Sequence, residues 1–162
     1  QSKDSLNQLL SGLKQAQLTA EKQTGQYTPL VVKISPDEDS TQLQAIAQVL
    51  QDTEIDGLIC TNTTISRPNS LLSGAALTEQ TGGLSGAPLK TLSSQTLKIM
   101  RQRLGDDFPI IAVGGIMSKA DAQQRFDCGA DLIQIYSGFI YHGPELVQDI
   151  NKQLVQTYGS TL

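Results

Sequence analysis

The chain has few of the residues that build metal, disulfide and nucleic-acid sites. Its 162 residues include no Trp, one His and two Cys, and 4% of them are aromatic. A single His and no paired Cys motif argue against a structural zinc site. Cys60 and Cys128 are too few for a disulfide framework, which favours reduced thiols in a cytoplasmic setting. The net charge of −4 argues against nucleic-acid binding, because phosphates require a basic face.

Long hydrophobic runs are also absent. No apolar run reaches the roughly 18 residues that a bilayer-spanning helix needs, and we expect no signal peptide. Residue 1 is Gln rather than Met, so we expect the chain to begin inside a longer one. Its length suggests one domain over residues 1–162. A complete (β/α)8 barrel takes about 250 residues, so this chain is too short to be one.

Four short apolar runs predict strands, at residues 30–34, 57–60, 109–113 and 132–135. They are rich in β-branched residues and bounded by turn residues, which predicts a parallel sheet covered on both faces. Amphipathic stretches predict helices at residues 5–23, 40–52, 89–104, 118–128 and 144–158. Strands that alternate with helices indicate an α/β architecture with right-handed connections. A long excursion, rich in Ser, Thr, Asn and Gly, interrupts this alternation at residues 61–88. Connections of that length are usually functional or disordered.

Each predicted strand ends in small or polar residues, and ligands of parallel α/β folds bind at the carboxyl ends of strands. Gly114-Gly115 and Ser137-Gly138 follow the last two strands. Glycines there let backbone N–H groups approach an anion, which the next helix N-terminus also favours. Barrels commonly bind phosphate after strands 7 and 8, which would make the present strands 5 to 8. Plain tight turns explain the same glycines equally well.

Three further features of the sequence each have more than one interpretation. Lys33 lies inside an apolar strand, where it either forms an ion pair, extends its amine to solvent, or faces an anionic ligand. The segment Thr61–Thr64 offers hydroxyls and the amide of Asn62, which suit a planar ring with C=O and N–H groups but also suit an Asx turn. The glycine-rich stretch at residues 81–86 indicates either close backbone approach or a flexible loop.

Together these segments resemble the class 2, quinone-dependent branch of the dihydroorotate dehydrogenase family. The matching stretches occur in the family's order and are VVKISPD, DGLICTNTTISRP, QTGGLSGAPLKTLS, PIIAVGGI and GADLIQIYSGFIYHGP. The combination of TNTT with TGGLSG-x-PL is highly specific. The resemblance implies the C-terminal half, strands 5 to 8, of a (β/α)8 TIM barrel. It also implies an FMN-dependent oxidation of (S)-dihydroorotate to orotate with a quinone acceptor, in de novo pyrimidine (UMP) biosynthesis.

The same resemblance assigns roles to eight residues. Lys33 would contact the flavin ring and favour its reduced, anionic form, and Thr61 would also touch FMN. Asn62 and Thr63 would hydrogen-bond the orotate ring. The FMN phosphate and ribityl site would be lined by Gly86, Gly115, Tyr136 and Ser137. No residue is assigned to a metal.

The sequence departs from the family in lacking the S-x-N-T-P type motif that carries the Ser base. We therefore nominate no catalytic residue in this chain and expect it to be inactive alone. The parent would lie peripherally on the cytoplasmic side of the inner membrane and meet quinone through its N-terminal part, while this chain itself would be soluble. Its expected partner is the missing N-terminal half-barrel or a second copy. The alternative is a non-catalytic FMN- or phosphate-binding half-barrel that self-associates.

Overall fold

Four short strands form one parallel sheet with the order β1-β2-β3-β4. The computed structural model describes residues 3–68 and 79–159. The strands are β1 (Val31–Ile34), β2 (Gly57–Cys60), β3 (Ile110–Val113) and β4 (Leu132–Gln134). Every neighbouring pair is parallel. The predicted α/β class with a parallel sheet is confirmed, and each strand lies within one residue of its expected bounds.

Helices connect the strands, and local capping explains where several of them begin. They are α1 (Lys3–Thr24), α2 (Ser40–Asp52), α3 (Lys90–Leu104), α4 (Lys119–Asp127) and α5 (Ser137–Tyr158), with a 3-10 turn at Ala87–Leu89 before α3. Asp39 and Gln42 form a reciprocal capping box at the start of α2. The Ser118 hydroxyl accepts a hydrogen bond from the Asp121 amide and caps α4. Each cap satisfies a backbone donor that the first helical turn leaves without a partner.

The last helix is longer than predicted. The helix expected at residues 144–158 is present, but α5 begins earlier, at Ser137, three residues after the end of β4. A kink divides it at Gly143, where φ is 63° and ψ is −164°. Pro144 has no amide hydrogen, so it starts the second segment without losing a hydrogen bond. The pair Gly143-Pro144 therefore marks a kink, and a helix N-terminus lies at the end of β4.

One face of the sheet packs against helices and forms the main core. Side chains alternate between the two faces of each strand, and this face carries Ile34, Leu58, Cys60 and Ala112, all at most 6% exposed. It packs with buried residues of α1, α2 and α3, including Leu10, Leu43, Ala47, Leu97 and Met100. A smaller cluster joins α4 and α5 through Ala122, Leu146 and Ile150.

The opposite face is less covered. Strand pairing places Lys33, Ile59, Ile111 and Leu132 in one cross-strand row. The two central isoleucines are half-buried, whereas Lys33 is exposed and Leu132 is 61% exposed. For the part of the chain that the structure describes, the prediction of cover on both faces is therefore wrong. Strands β1 and β4 lie at the two edges of this sheet.

The excursion at residues 61–88 is described at both its ends, whereas residues 69–78 lie outside the described residues. Thr64 and Leu84 pair in an antiparallel bridge, with N–H to O distances of 3.1 and 2.7 Å. Arg67 donates to the carbonyl oxygens of Gln80 and Gly82 at 3.1 and 2.7 Å. These bonds bring the described start and end of the excursion together.

Candidate functional site

The carboxyl ends of all four strands meet around one cavity of about 170 Å³. Because the strands are parallel, their carboxyl ends lie at one edge of the sheet. The cavity lining includes all eight residues that the sequence singled out: Lys33, Thr61, Asn62, Thr63, Gly86, Gly115, Tyr136 and Ser137. The structure thus brings together residues that lie up to about a hundred positions apart in the chain.

Lys33 lies at the edge of this cavity with an exposed side chain. Within residues 3–68 and 79–159, its amine has neither an ion-pair partner nor a hydrogen-bond partner. Of the three alternatives for this residue, the ion pair is therefore not realised in the described structure. A cation without a partner beside a cavity is suited to contact an anionic or electron-rich ligand.

The segment Thr61–Thr64 is held by the neighbouring strands. The Thr61 amide donates to Val113 O at 2.9 Å, and the Asn62 amide donates to Ile34 O at 2.7 Å. Thr61 is 1% exposed, whereas the Asn62 and Thr63 side chains are exposed. The side-chain oxygen of Asn62 accepts from the adjacent Thr63 amide at 2.9 Å, whereas an Asx turn would use the amide two residues on.

Asp37 anchors this segment from the end of β1. Its carboxylate accepts hydrogen bonds from the Thr64 hydroxyl and from the Ile65 amide, the latter at 2.9 Å. The Ser35 hydroxyl accepts from the Asp37 amide at 3.1 Å and steadies the turn. Charge-assisted bonds of this kind are stronger than neutral ones. Sequence reasoning included Asp37 in a motif but gave it no role.

The glycine-rich end of the excursion packs onto two parts of the site. A Cβ on Gly83 would lie 1.8 Å from Thr63 Oγ1, so only Gly fits against that side chain. The hydroxyl oxygens of Ser85 and Ser137 lie 2.9 Å apart. Gly86 is buried beside Ser137. Close approach to Thr63 therefore explains Gly83, whereas positive φ values of +123° and +78° explain Gly82 and Gly86.

The Gly114-Gly115 turn lies against the start of α3. Gly115 has a φ of +72°, and a Cβ there would lie 2.4 Å from Lys90 Cα. Both the conformation and the contact therefore require glycine. Ser137 and Gly138, in the first turn of α5, line the same cavity. Backbone amides of a glycine turn beside a helix N-terminus form an anion-binding arrangement.

Two charged residues of α4 lie close to this turn, and sequence reasoning gave neither of them a role at the site. Arg125 of α4 is 1% exposed and donates to Gly114 O at 2.7 Å. Burial lowers the pKa of Arg125 from its ordinary value. Asp121 forms an ion pair with Lys90. Burial alone would raise the pKa of Asp121, but hydrogen bonds from Lys90 and the Met117 amide hold this pKa below its ordinary value. The short polar sequence of α4 gave no signal for a buried Arg.

The described residues include no group of three or more His, Cys, Asp and Glu side chains placed to hold a metal ion. None of their helices is both long enough and apolar enough for a membrane crossing. The two cysteines are free and buried. Burial raises the pKa of Cys60 to about 12, which agrees with a packing role rather than that of a nucleophile.

The fold and the cavity define an α/β unit with a ligand site at the carboxyl edge of its sheet. The sequence profile of the dihydroorotate dehydrogenase family matches residues 3–157. The chain belongs to the dihydroorotate dehydrogenase family.

Several relatives carry the name dihydroorotate dehydrogenase (quinone). The protein from Chromobacterium violaceum is 47% identical over 153 residues, which span 94% of this chain and 44% of the relative. That from Shewanella amazonensis is 48% identical over 147 residues, or 91% of this chain and 43% of the relative. The chain therefore spans less than half the length of the curated relatives it matches.

Two solved structures of DHODH have a fold similar to that of this chain. The crystal structure of DHODH from Eimeria tenella in complex with ferulenol superposes with a TM-score of 0.88 at 34% identity. The match covers 98% of this chain and 45% of that one. The ligand-free type from the same organism gives a TM-score of 0.77 at 40% identity, over 85% of this chain and 38% of that one.

Proposed function

We propose that the chain is part of an FMN-dependent dihydroorotate dehydrogenase that oxidises (S)-dihydroorotate to orotate and passes the electrons to a quinone. The main support is that all eight residues to which the resemblance assigns roles line one cavity. Family membership and the names of the relatives support the same reaction. In this proposal the intact enzyme serves pyrimidine biosynthesis and lies peripherally on the cytoplasmic side of the inner membrane.

In this proposal residues 1–162 form the C-terminal half, strands 5 to 8, of a (β/α)8 barrel. The supporting observations are two open sheet edges, at β1 and β4, and a half-covered face with Leu132 at 61% exposure. The cavity of about 170 Å³ is also smaller than the ~300–1,000 Å³ of most small-molecule sites. A second half-barrel would extend the sheet, cover this face and enclose the rest of the ligand.

The residues present fit FMN. Its phosphate is an anion, and the cavity offers the Gly115 backbone, in a position where a Cβ would collide with Lys90. Ser137, in the first turn of α5, and the buried Gly86 line the adjoining wall. Tyr136, which is 74% exposed, lines the same end of the cavity. A helix N-terminus and close backbone N–H groups favour a phosphate without requiring a basic side chain.

The other end of the cavity suits a ring system. FMN, when bound, supplies a ring that accepts a hydride from the substrate. Lys33 would place its unpaired amine against that ring, and the buried Thr61 would contact it from the next strand. Asn62 and Thr63 would donate to and accept from the carbonyl and N–H groups of orotate. The proton would be removed by a Ser supplied from outside this chain, and quinone would bind in the N-terminal part.

Reconstitution tests this function. The chain would be assayed for dihydroorotate-dependent quinone reduction alone and after co-expression with the whole N-terminal part of a relative, including strands 1 to 4 of its barrel, with bound FMN measured by absorbance. We expect activity only in the co-expressed pair, with one FMN per pair. Turnover by the chain alone would show that the base lies within it. A well-folded pair without FMN would contradict the assignment of the cavity.

A second candidate is a non-catalytic FMN- or phosphate-binding half-barrel that pairs with its own copy. The observation that favours it is the exposed apolar surface near β4, where Ile140 and Tyr141 are 68% and 76% exposed. Contiguous apolar surface of this kind favours association. Sedimentation of the purified chain distinguishes the two candidates. A stable FMN-loaded homodimer that does not exchange with the N-terminal half would favour the second.

A further inference from the structure

Arg125 is the most unusual buried group outside the residues already assigned. Its side chain is 1% exposed, and Nη2 donates to three oxygens at the end of the sheet. These are Gly114 O at 2.7 Å, Ser93 Oγ at 2.9 Å and Lys90 O at 3.0 Å. Its Nε and Nη1 atoms are buried without a hydrogen-bond partner in the described structure.

No carboxylate of the described residues forms an ion pair with this guanidinium. Asp121, whose charge acts on Arg125, is already paired with Lys90. Burying a cation that lacks a paired anion is costly. Arg125 lies on α4, but its guanidinium is buried at the end of β3. The free-energy cost of burying it there indicates a role beyond packing.

The geometry of one peptide shows what that role is. Gly114 O accepts from both Arg125 and the Ser93 hydroxyl, the latter at 3.0 Å. The only cis bond of the described residues is Cys60–Thr61, so the Gly114–Gly115 peptide is trans. In a planar trans peptide the C=O and N–H groups point in opposite directions. With its oxygen directed at α3 and α4, this peptide directs the Gly115 N–H away from them, and Gly115 lines the cavity.

We propose that Arg125 is a positioning residue that orients and polarises the Gly114–Gly115 peptide so that the Gly115 N–H binds the phosphate of the ligand. A hydrogen bond from a cation to the carbonyl strengthens the N–H of the same peptide as a donor. The phosphate then adds a negative charge on the far side of this peptide, where no carboxylate is paired directly with Arg125. This inference rests on the proposed function, because the phosphate belongs to FMN.

The test compares FMN with riboflavin, which has the same ring and ribityl chain but no phosphate. Arg125→Met would be made in the 162-residue chain co-expressed with the N-terminal half-barrel, with binding followed by quenching of flavin fluorescence. We expect FMN affinity to fall about tenfold, the value of one charge-assisted hydrogen bond, and riboflavin affinity to change less than about twofold. Arg125→Lys, which keeps the charge, should retain part of the FMN preference.

Arg101→Met is the matched control. Arg101 also donates to backbone carbonyls, at Gly129 and Phe108, but these precede the strands at the opposite end of the sheet. Its loss should lower stability without changing the ratio of FMN to riboflavin affinity. If Arg125→Met does not fold, Ser93→Ala removes one of the two donors to Gly114 O and should reduce FMN affinity selectively.

A second readout does not depend on flavin. The ¹⁵N and ¹H shifts of the Gly115 amide should move in Arg125→Met and Ser93→Ala and remain in place in Arg101→Met. Equal losses of FMN and riboflavin affinity, or an unmoved Gly115 amide, would overturn the proposal. A wild-type pair that binds neither flavin would overturn the proposed function and the phosphate contact together, while the amide shifts would still decide whether Arg125 orients the peptide.

Discussion

The hydroxyl oxygens of Ser85 and Ser137 lie 2.9 Å apart although 52 positions separate them in the chain. Ser85 lies near the end of the long excursion, and Ser137 is the first residue of α5. The contact therefore joins the described end of the excursion to the helix that follows the last strand. Ser85 and Gly86 line the cavity there, and Gly83 of the same stretch packs against Thr63.

A Gly115→Ala substitution should destabilise the chain more than its conformation alone explains. A Cβ at Gly115 would lie 2.5 Å from Lys90 N, and its φ of +72° already disfavours Ala. Gly25 is a matched control, because its φ is +71° and a Cβ there meets nothing within 4 Å. We expect Gly25→Ala to cost about 1 kcal/mol. Gly115→Ala should cost clearly more and weaken FMN binding, and equal urea midpoints would contradict this expectation.

Lys33→Met should slow the chemistry more than it weakens cofactor binding. The amine has no partner among the described residues, so its charge is free to act on the ring of a bound flavin. In the complete enzyme we expect flavin reduction by dihydroorotate to slow about tenfold or more, which is about 1.4 kcal/mol of lost charge stabilisation. FMN retention should change little. Lys98→Met, at an exposed position of α3, should leave stopped-flow traces unchanged, and an unaltered rate in Lys33→Met would refute its role.

Asp37→Asn should loosen the segment that carries Asn62 and Thr63. The carboxylate accepts hydrogen bonds from the Thr64 hydroxyl and the Ile65 amide. In Asn one of the two carboxylate oxygens is replaced by an NH2 group, which donates hydrogen bonds and cannot accept them. We expect a loss of about 1–3 kcal/mol and faster hydrogen exchange of the Ile65 amide. Asp107→Asn, exposed before β3, serves as control. Unchanged exchange at Ile65 would show that Asp37 does not hold the segment.

Much of the fold and of the site could be predicted from the sequence, because both depend on local signals. Short β-branched runs identified the strands, and the carboxyl ends of parallel strands share one edge of a sheet. Lys33 and Asn62 therefore had to lie near Gly115 and Ser137, and the structure places them around one cavity.

The remainder depends on contacts that no local pattern encodes. An apolar strand has the same sequence whether a helix or the interior of a barrel covers it. The strand pattern alone therefore predicted cover on both faces, and only the half-barrel interpretation predicted an uncovered inner face such as the one with Leu132, 61% exposed. The burial of Arg125 follows from α4 packing under the Gly114-Gly115 turn, which only the tertiary structure shows. The helix segment predicted at residues 144–158 is present, whereas the segment from Ser137 to the kink at Gly143 was not predicted.

The ion pair of Asp121 and Lys90 should make stability depend on pH in the acidic range. Burial opposes the charge of Asp121, but hydrogen bonds from Lys90 and the Met117 amide lower its pKa below the ordinary 3.8. A carboxyl with a lowered folded-state pKa stabilises the fold above its unfolded pKa, and this contribution is lost as pH falls through the folded-state value. The stability difference between wild type and Asp121→Asn should thus be constant near neutrality and shrink below about pH 4.

Urea unfolding from about pH 7 to about pH 3 measures this difference. Asp149→Asn is a suitable control, because Asp149 and Lys152 form a pair with side chains 59% and 71% exposed. Exposed pairs contribute little, so that variant should follow the wild type throughout. A wild-type advantage over Asp121→Asn that persists unchanged at the acidic end would contradict the lowered pKa.

Neither cysteine should react with thiol reagents while the chain is folded. Cys60 is 1% exposed and Cys128 is 8% exposed. Burial raises the pKa of Cys60 to about 12, with a smaller opposing effect from the charge of Arg101. Because the thiolate is the reactive form, an aromatic disulfide reagent at about pH 8 should find no thiol in the native chain and both after denaturation. Cys60→Ala should expose one thiol on denaturation and retain FMN binding, since Cys60 packs on the helix-covered face of β2. Rapid native labelling that Cys60→Ala abolishes would show instead that the end of β2 opens to solvent.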